Sequence, residues 1–193
     1  MKQLHRHDLY AWSVFNEARN IDFNSYVWVR PEGNVVFDPL PMSPHDRAHL
    51  DALGGVALIV VTNSDHLRAS RELAAETGAR LLGPRAEGLD GFEPLGDGDQ
   101  PVVGMQVLEL HGSKTPGELA VRLGEDLVCG DLVRSHAGGR LHRLPPPKLT
   151  DAEAAQTSIE RLAGLPVVGI LVGDGYPIFR DGQQRLIELA KGA

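Results

Sequence analysis

Two short apolar runs, Val56 to Val61 (VALIVV) and Val167 to Val172 (VVGILV), constrain this chain most. Each is rich in β-branched residues and flanked by Gly or Pro. Runs this short that lack polar alternation read as strands buried on both faces. A strand of that kind needs a layer packed on either side of its sheet.

The segments around these runs supply the layers. Tyr26 to Arg30 and Asn34 to Asp38 are strand-like and flank Pro31-Glu32-Gly33, which reads as a hairpin turn. Ser43-Pro44 offers an N-cap and first-turn proline for a helix to about Leu53, ended by Gly54-Gly55. A second helix spans about Asp65 to Thr77 and stops at Gly78. Residues 83 to 101 are rich in Gly, Pro and Asp and hold at most one short strand. Strands are predicted at Met105 to Leu110, Glu118 to Leu123 and Asp126 to Cys129. Pro145 to Pro147 form a loop, and Thr150 with Glu153 reads as the capping box of a helix to about Leu162. A closing helix is predicted over Asp181 to Lys191. Two blocks of strands, each followed by helices, imply sheets packed face to face with helices outside.

Length and composition narrow the function classes. A chain of 193 residues, 42% hydrophobic, fits one soluble domain spanning 1–193 with a core that needs no staples. The single cysteine, Cys129, rules out an internal disulfide and suits a reducing cytoplasm. No run has the length of a signal peptide's apolar core or a membrane span, so no membrane role is expected. The formal charge of −7, with basic residues scattered among acids, argues against nucleic acid as a partner.

Five segments in order resemble the metallo-β-lactamase superfamily. Gly33 to Asp38 (GNVVFD) is similar to a strand ending in aspartate, and Val60 to Arg68 (VVTNSDHLR) occupies the place of the HxHxDH motif. Ser113 to Gly117 (SKTPG) is similar to the GHTPG segment, Cys129 to Leu132 (CGDL) to the GD motif, and Gly173-Asp174-Gly175 to GHG. The wording TNSDHLR and GSKTPGE is similar to an uncharacterised bacterial subgroup. The resemblance implies an α/β (α+β) fold, a four-layer αββα sandwich of the metallo-β-lactamase type. Position by position, it also implies that the first metal's three histidines are replaced by Asn63, Asp65 and Lys114. The second metal's aspartate and two histidines are replaced by Leu67, Arg68 and Asp174, while the bridging Asp131 is kept.

Zinc takes imidazole or thiolate ligands in a tight tetrahedron, and this inventory offers carboxylates, an amide and two cations. A monocation about 4 Å from a divalent ion, at an effective dielectric of about 20, is repelled by roughly 8 kcal/mol. The expectation is therefore a degenerate, zinc-independent site without cofactor. There Lys114 and Arg68 neutralise Asp65, Asp131 and Asp174, and Asn63 completes a pocket for a small molecule. Lys114 stays protonated beside carboxylates, and its plainer role is a structural ion pair with Asp131. The alternative is a hydrolase of an ester, thioester or lactone, with magnesium, manganese or calcium held by Asp65, Asp131 and Asp174. A third route, acid–base catalysis by an aspartate with Lys114 polarising a carbonyl, is allowed by residue type alone.

The other polar residues have plainer readings. His66 falls between two aligned ligand positions and is expected to point into helix packing. His136 and His142 are expected in a solvated loop, His111 at a strand end, and His5 and His7 in a frayed terminus. Cys129 reads as a buried, inert thiol. Homo-oligomerisation is left open.

Overall fold

A computed structural model describes residues 1–192. The first sheet has seven strands in sequential order: β1 (Lys2–Gln3), β2 (Leu9–Asn16), β3 (Ile21–Trp28), β4 (Val35–Phe37), β5 (Leu58–Val60), β6 (Arg80–Pro84) and β7 (Glu93–Leu95). The second comprises β8 (Met105–Leu110), β9 (Glu118–Leu123), β10 (Asp126–Cys129) and β13 (Gly169–Val172), ordered β13-β10-β9-β8. A separate hairpin pairs β11 (Val133–Ala137) with β12 (Arg140–Arg143). Helices α1 (Pro44–Ala52) and α2 (Ser70–Thr77) cover the first sheet, and α3 (Ala152–Ala163) and α4 (Gly182–Ala190) the second. The result is the expected αββα sandwich. No helix among the described residues is long and apolar enough to cross a membrane.

Three apolar clusters hold the layers together. Tyr26, Phe37 and Val60 from the first sheet meet Val107, Val121 and Leu171 from the second. The outer faces of β4 and β5, Val36 and Ile59, pack on Leu50 of α1 and Leu73 of α2. Leu127 and Ile170 of the second sheet pack on Ile159 of α3 and Leu186 of α4. Strands β5 and β13 are thus buried on both faces, which is why they read as unbroken apolar runs.

Helix boundaries follow their caps. Ser43 Oγ accepts from Asp46 N ahead of Pro44, and Gly78 closes α2 at φ 73°. The predicted capping box is displaced by one residue. Asp151, not Thr150, caps α3, accepting from the amides of Glu153 and Ala154, because Thr150 Oγ1 instead donates to the Ser113 carbonyl at 2.6 Å.

Several strands lay outside the sequence reading. The first sixteen residues contain two strands, and His5, expected in a frayed terminus, bonds Asp126 at 2.9 Å. Strand β6 follows α2 directly. The solvated loop expected to carry His136 and His142 is the β11–β12 hairpin, with the two rings 6.0 Å apart. The helix predicted from Asp65 begins as a 3-10 turn over Ser64–His66 and becomes α-helical only at Ser70.

Parallel pairing positions the site. Strands β4, β5 and β6 run parallel, as do β10 and β13, so their carboxyl ends gather at one rim. There Leu119 N donates to Thr62 O at 2.8 Å, joining the two sheets. Asp38, Thr62-Asn63, Asp131 and Asp174 all follow those strand ends.

Candidate functional site

Asp131, 2% exposed, is the hub of the rim. Its Oδ2 accepts from Asn63 Nδ2 at 3.0 Å and from Lys114 Nζ at 2.9 Å. Lys114 Nζ also reaches Asp65 Oδ2 at 2.6 Å, so the ammonium lies between the two carboxylates. On the other side, Arg134 bridges Asp131 Oδ1 at 3.1 Å and Asp174 Oδ2 at 2.8 Å. Lys114 and Asp65 face solvent, whereas Arg134 and Asp174 are buried.

A second chain of contacts runs beneath. His66 Nδ1 lies 2.7 Å from Asp38 Oδ2, and His66 Nε2 lies 3.5 Å from Asp131 Oδ2. Thr62 ties Asp38 in place, its amide and its hydroxyl each donating at 2.7 Å. The expectation that His66 turns into helix packing is corrected here. Asn63 accepts from His66 N through its own side chain, and this tight turn swings the imidazole under Asp131.

Arg68 also departs from expectation. Its guanidinium donates to the backbone carbonyls of Asn24 (2.8 Å) and Asp38 (3.1 Å) and lies over the Phe23 ring at 5.6 Å. It makes no ion pair with Asp65, Asp131 or Asp174, because its backbone, at φ 40°, directs the side chain toward β3. The cation that bridges Asp131 and Asp174 is Arg134, which sequence comparison with ligand motifs passes over because it lies outside them. Leu67 is followed by no carboxylate in the cluster, and its amide closes the 3-10 turn on Ser64 O.

Glu118 is the other residue that motif reading missed. It is fully buried, accepting from Ser113 Oγ at 2.5 Å and from Leu132 N at 2.7 Å. One carboxylate thus ties the turn bearing Lys114 to the loop bearing Asp131. The crowding extends to Gly130, where an added Cβ would lie 2.8 Å from Thr62 Oγ1 and 3.1 Å from Glu118 Oε1.

Protonation follows from this packing. Burial alone would lower His66, but the charge of Asp38 and hydrogen bonds to Asp131 and Asp38 outweigh it and raise the imidazole to about 9. Burial opposes ionisation of Asp131, yet His66 and Lys114 hold it far below the usual carboxylate range. Burial likewise opposes the Lys114 charge, and Asp65 and Asp131 still raise it above its ordinary value. Glu118 is pushed up to about 7 by burial and by the Asp131 charge. Burial also pushes the Cys129 thiol upward, as suits an inert core cysteine.

With the geometry in place, relatives can be compared. A sequence model described as the metallo-beta-lactamase superfamily matches residues 1–193. This chain belongs to the metallo-beta-lactamase superfamily. Among curated proteins, hydroxyacylglutathione hydrolases of Ectopseudomonas mendocina and Shewanella baltica are each 31% identical, over 156 and 160 residues. Each alignment covers 74% of this chain but only 58% of the hydrolase's length. Among solved structures, TTHA1623, crystallised in a di-iron-bound form, is 25% identical with a TM-score of 0.66. That match covers 87% of this chain and 94% of TTHA1623. A metallo-beta-lactamase from Pontibacter korlensis superposes with a TM-score of 0.76 over 99% of this chain and 98% of its own, at 13% identity. That last likeness is one of fold.

The di-iron form of TTHA1623 makes the donor set here worth stating. Among the described residues, His66, Asp131 and Asp174 bring ligand atoms within 4.8 Å of one another, a spacing that could hold an ion. Asp65, a ligand only in the alternative reading of the sequence, pairs with Lys114 at the surface and lies outside this grouping.

Proposed function

We propose that this chain is a metal-independent member of the superfamily whose rim binds a small molecule through Lys114. The observation that carries the reading is the Lys114 ammonium, 2.6 Å from Asp65 and 2.9 Å from Asp131. The donor set as it stands does not fit a divalent ion. Asp131 already accepts from Asn63, Lys114 and Arg134, and Asp174 from Arg134. His66 commits Nδ1 to Asp38 at 2.7 Å, which leaves only Nε2 on the side facing Asp131.

The balance of charge also indicates the ligand. Asp38, Asp65, Asp131 and Asp174, with Glu118 buried beside them, face His66, Arg68, Lys114 and Arg134, so the rim has no surplus of positive charge to attract a strong anion. A lysine ammonium carries three N–H donors. Two are directed at Asp65 and Asp131, and the remaining one is available to a ligand's carbonyl or hydroxyl oxygen. Asp65, exposed beside it, can accept in return. An uncharged, oxygen-rich small molecule suits this pairing best.

Metal analysis of protein purified without an affinity tag tests the reading. Well under one equivalent of zinc, iron or manganese is expected, and one equivalent or more, lost in Asp131→Ala, would overturn it.

A second reading is favoured by the 4.8 Å grouping of His66, Asp131 and Asp174 together with the hydroxyacylglutathione hydrolases. In it the chain is a hydrolase of an ester, thioester or lactone that takes magnesium or manganese. Lys114 and Arg134 would have to leave their carboxylates first. Thioester hydrolysis that appears on adding either ion, and disappears with chelator, would favour it.

A further inference from the structure

The charge balance of the rim stops short of its Asp174 side. Strand β11 brings Arg134 to Asp174, and His142 of β12 pairs opposite Arg134, so both side chains share one face of the hairpin. The β11 register shifts between Arg134 and Ala137, and a bulge of this kind re-aims the residues within it. His136 lies in that stretch, exposed, with its ring 6.0 Å from that of His142. The His136 amide donates to His142 Nδ1 at 3.3 Å, which places the His142 ring proton on Nε2.

A second group of cations comes from β3 and its neighbours. The Phe23 backbone bridges to Asp174, and its ring carries the guanidinium groups of Arg19 and Arg68, each at 5.6 Å. Cation–π contacts hold a charge in place without neutralising it. Arg19, near the exposed tip of the β2–β3 hairpin, and Arg68, whose hydrogen bonds go to carbonyls, have no carboxylate partner among the described residues. Both Asp38 carboxylate oxygens are taken by Thr62 and His66, and Asp174 is held by Arg134. The other acids at hand are Glu17, at the hairpin tip, and Asp22, which alternates to the opposite face of β3 from Phe23. His136 registers the result. Burial, then Arg134, His142 and Arg19, lower its imidazole below the ordinary value against the opposing charge of Asp174.

We propose that this flank of Asp174 is an oxyanion subsite, where Arg19 and His136, backed by Arg68 and His142, hold a phosphate or carboxylate group of a small molecule. In a chain of formal charge −7, cations gathered without acids of their own are the exception. Guanidinium forks and imidazole N–H groups match the oxygens of phosphate and carboxylate, and charge-assisted bonds of this kind are the strong ones. Four side chains make a spot rather than the basic stripe that nucleic acid requires. Lys114 meets Asp131 at Oδ2 and Arg134 meets it at Oδ1. The subsite thus lies across that carboxylate from Lys114 and is independent of what Lys114 binds.

Titration with inorganic phosphate, and separately with succinate, tests the subsite at constant ionic strength. Each anion should shift the ring resonances of His136 and His142 along a saturating curve, and the tighter of the two identifies the group preferred. Arg19 and His136 are exposed, so Arg19→Gln and His136→Gln should fold like the wild type. Each should weaken binding about fivefold, as befits the loss of one solvent-facing charge contact. Arg122→Gln removes the same charge from the end of β9 remote from the rim and should leave binding unchanged. Shifts no larger than sodium chloride causes at equal ionic strength would overturn the proposal. So would a dissociation constant that both Arg19→Gln and His136→Gln leave untouched.

Discussion

At the scale of single residues, Asp131 is where most depends on one side chain. Removing its carboxylate takes away the one partner that Lys114, Arg134 and His66 share and leaves each with a single carboxylate, Asp65, Asp174 and Asp38 respectively. Breaking a buried pair from one side costs roughly 3–5 kcal/mol, so Asp131→Ala should lower stability by about that much in urea titration. Lys114→Met should cost only about 1 kcal/mol, because its ion pair with Asp65 is half open to water and buried Asp131 keeps Asn63, Arg134 and His66. Equal losses in the two variants would contradict this ordering. His66 gives a pH signature. Its pKa rises from 6.5 in the unfolded chain to about 9, so its contribution is complete below about pH 6.5 and lost as pH passes through 9. Integrated over that shift, the loss is about 3 kcal/mol. Glu118, raised from 4.5 to about 7, acts in the same direction at lower pH, whereas depressed Asp131 protects against loss until strongly acid conditions. Urea midpoints should therefore fall steadily from pH 6 to 10, and replacing His66 by Asn should flatten the upper part of that slope.

At the scale of elements, the turn that carries Lys114 is held by its neighbours rather than by its own sequence. Gly112, at φ 79°, has no room for a side chain: a Cβ would lie 2.1 Å from Asp151 O and 2.4 Å from Ala155 N. Gly112→Ala must therefore push α3 away while straining the backbone, for about 2 kcal/mol or more. Because Thr150 Oγ1 and the Thr150 amide both bond this turn, the same substitution should loosen Lys114. Faster hydrogen exchange over residues 112–118 would register it. Capping tests the boundary itself. Asp151→Ala should cost about 1 kcal/mol, and Thr150→Val should disturb the turn but not the helix N-terminus. Helicity lost with Thr150→Val alone would restore the capping box read from sequence.

At the scale of the whole molecule, two sheets and four helices converge on one rim, and opposite charges close it there. If Lys114 and Arg134 carry what metal ions carry in relatives, the fold needs no ion for its stability. Overnight treatment with chelator should leave the melting temperature unchanged, and added zinc should not raise it. A loss of several degrees with chelator, restored by a metal, would show that an ion is part of the folded state.

Periodicity and turn chemistry made much of this architecture legible. The runs at Val56 and Val167 announce strands buried on both faces, although β13 proves to lie at the edge of its sheet, and Ser43-Pro44 and Gly78 mark helix ends because caps act locally. Strands β1, β2, β11 and β12 were not legible, since edge and hairpin strands with mixed exposure carry no such pattern. In the rim, ordered motifs were enough to single out Lys114, Asp65 and Asp131. They could not distinguish Arg68 from Arg134, because a left-handed backbone angle turns one toward carbonyls while a neighbouring strand brings the other to two aspartates. The ordered motifs that resemble the superfamily's named Asp65, Lys114, Asp131 and Asp174 as rim residues, but not Arg134 or Glu118, which lie outside those motifs. Only the tertiary structure decided which charges meet, because ion pairing acts over a few ångströms between segments far apart along the chain.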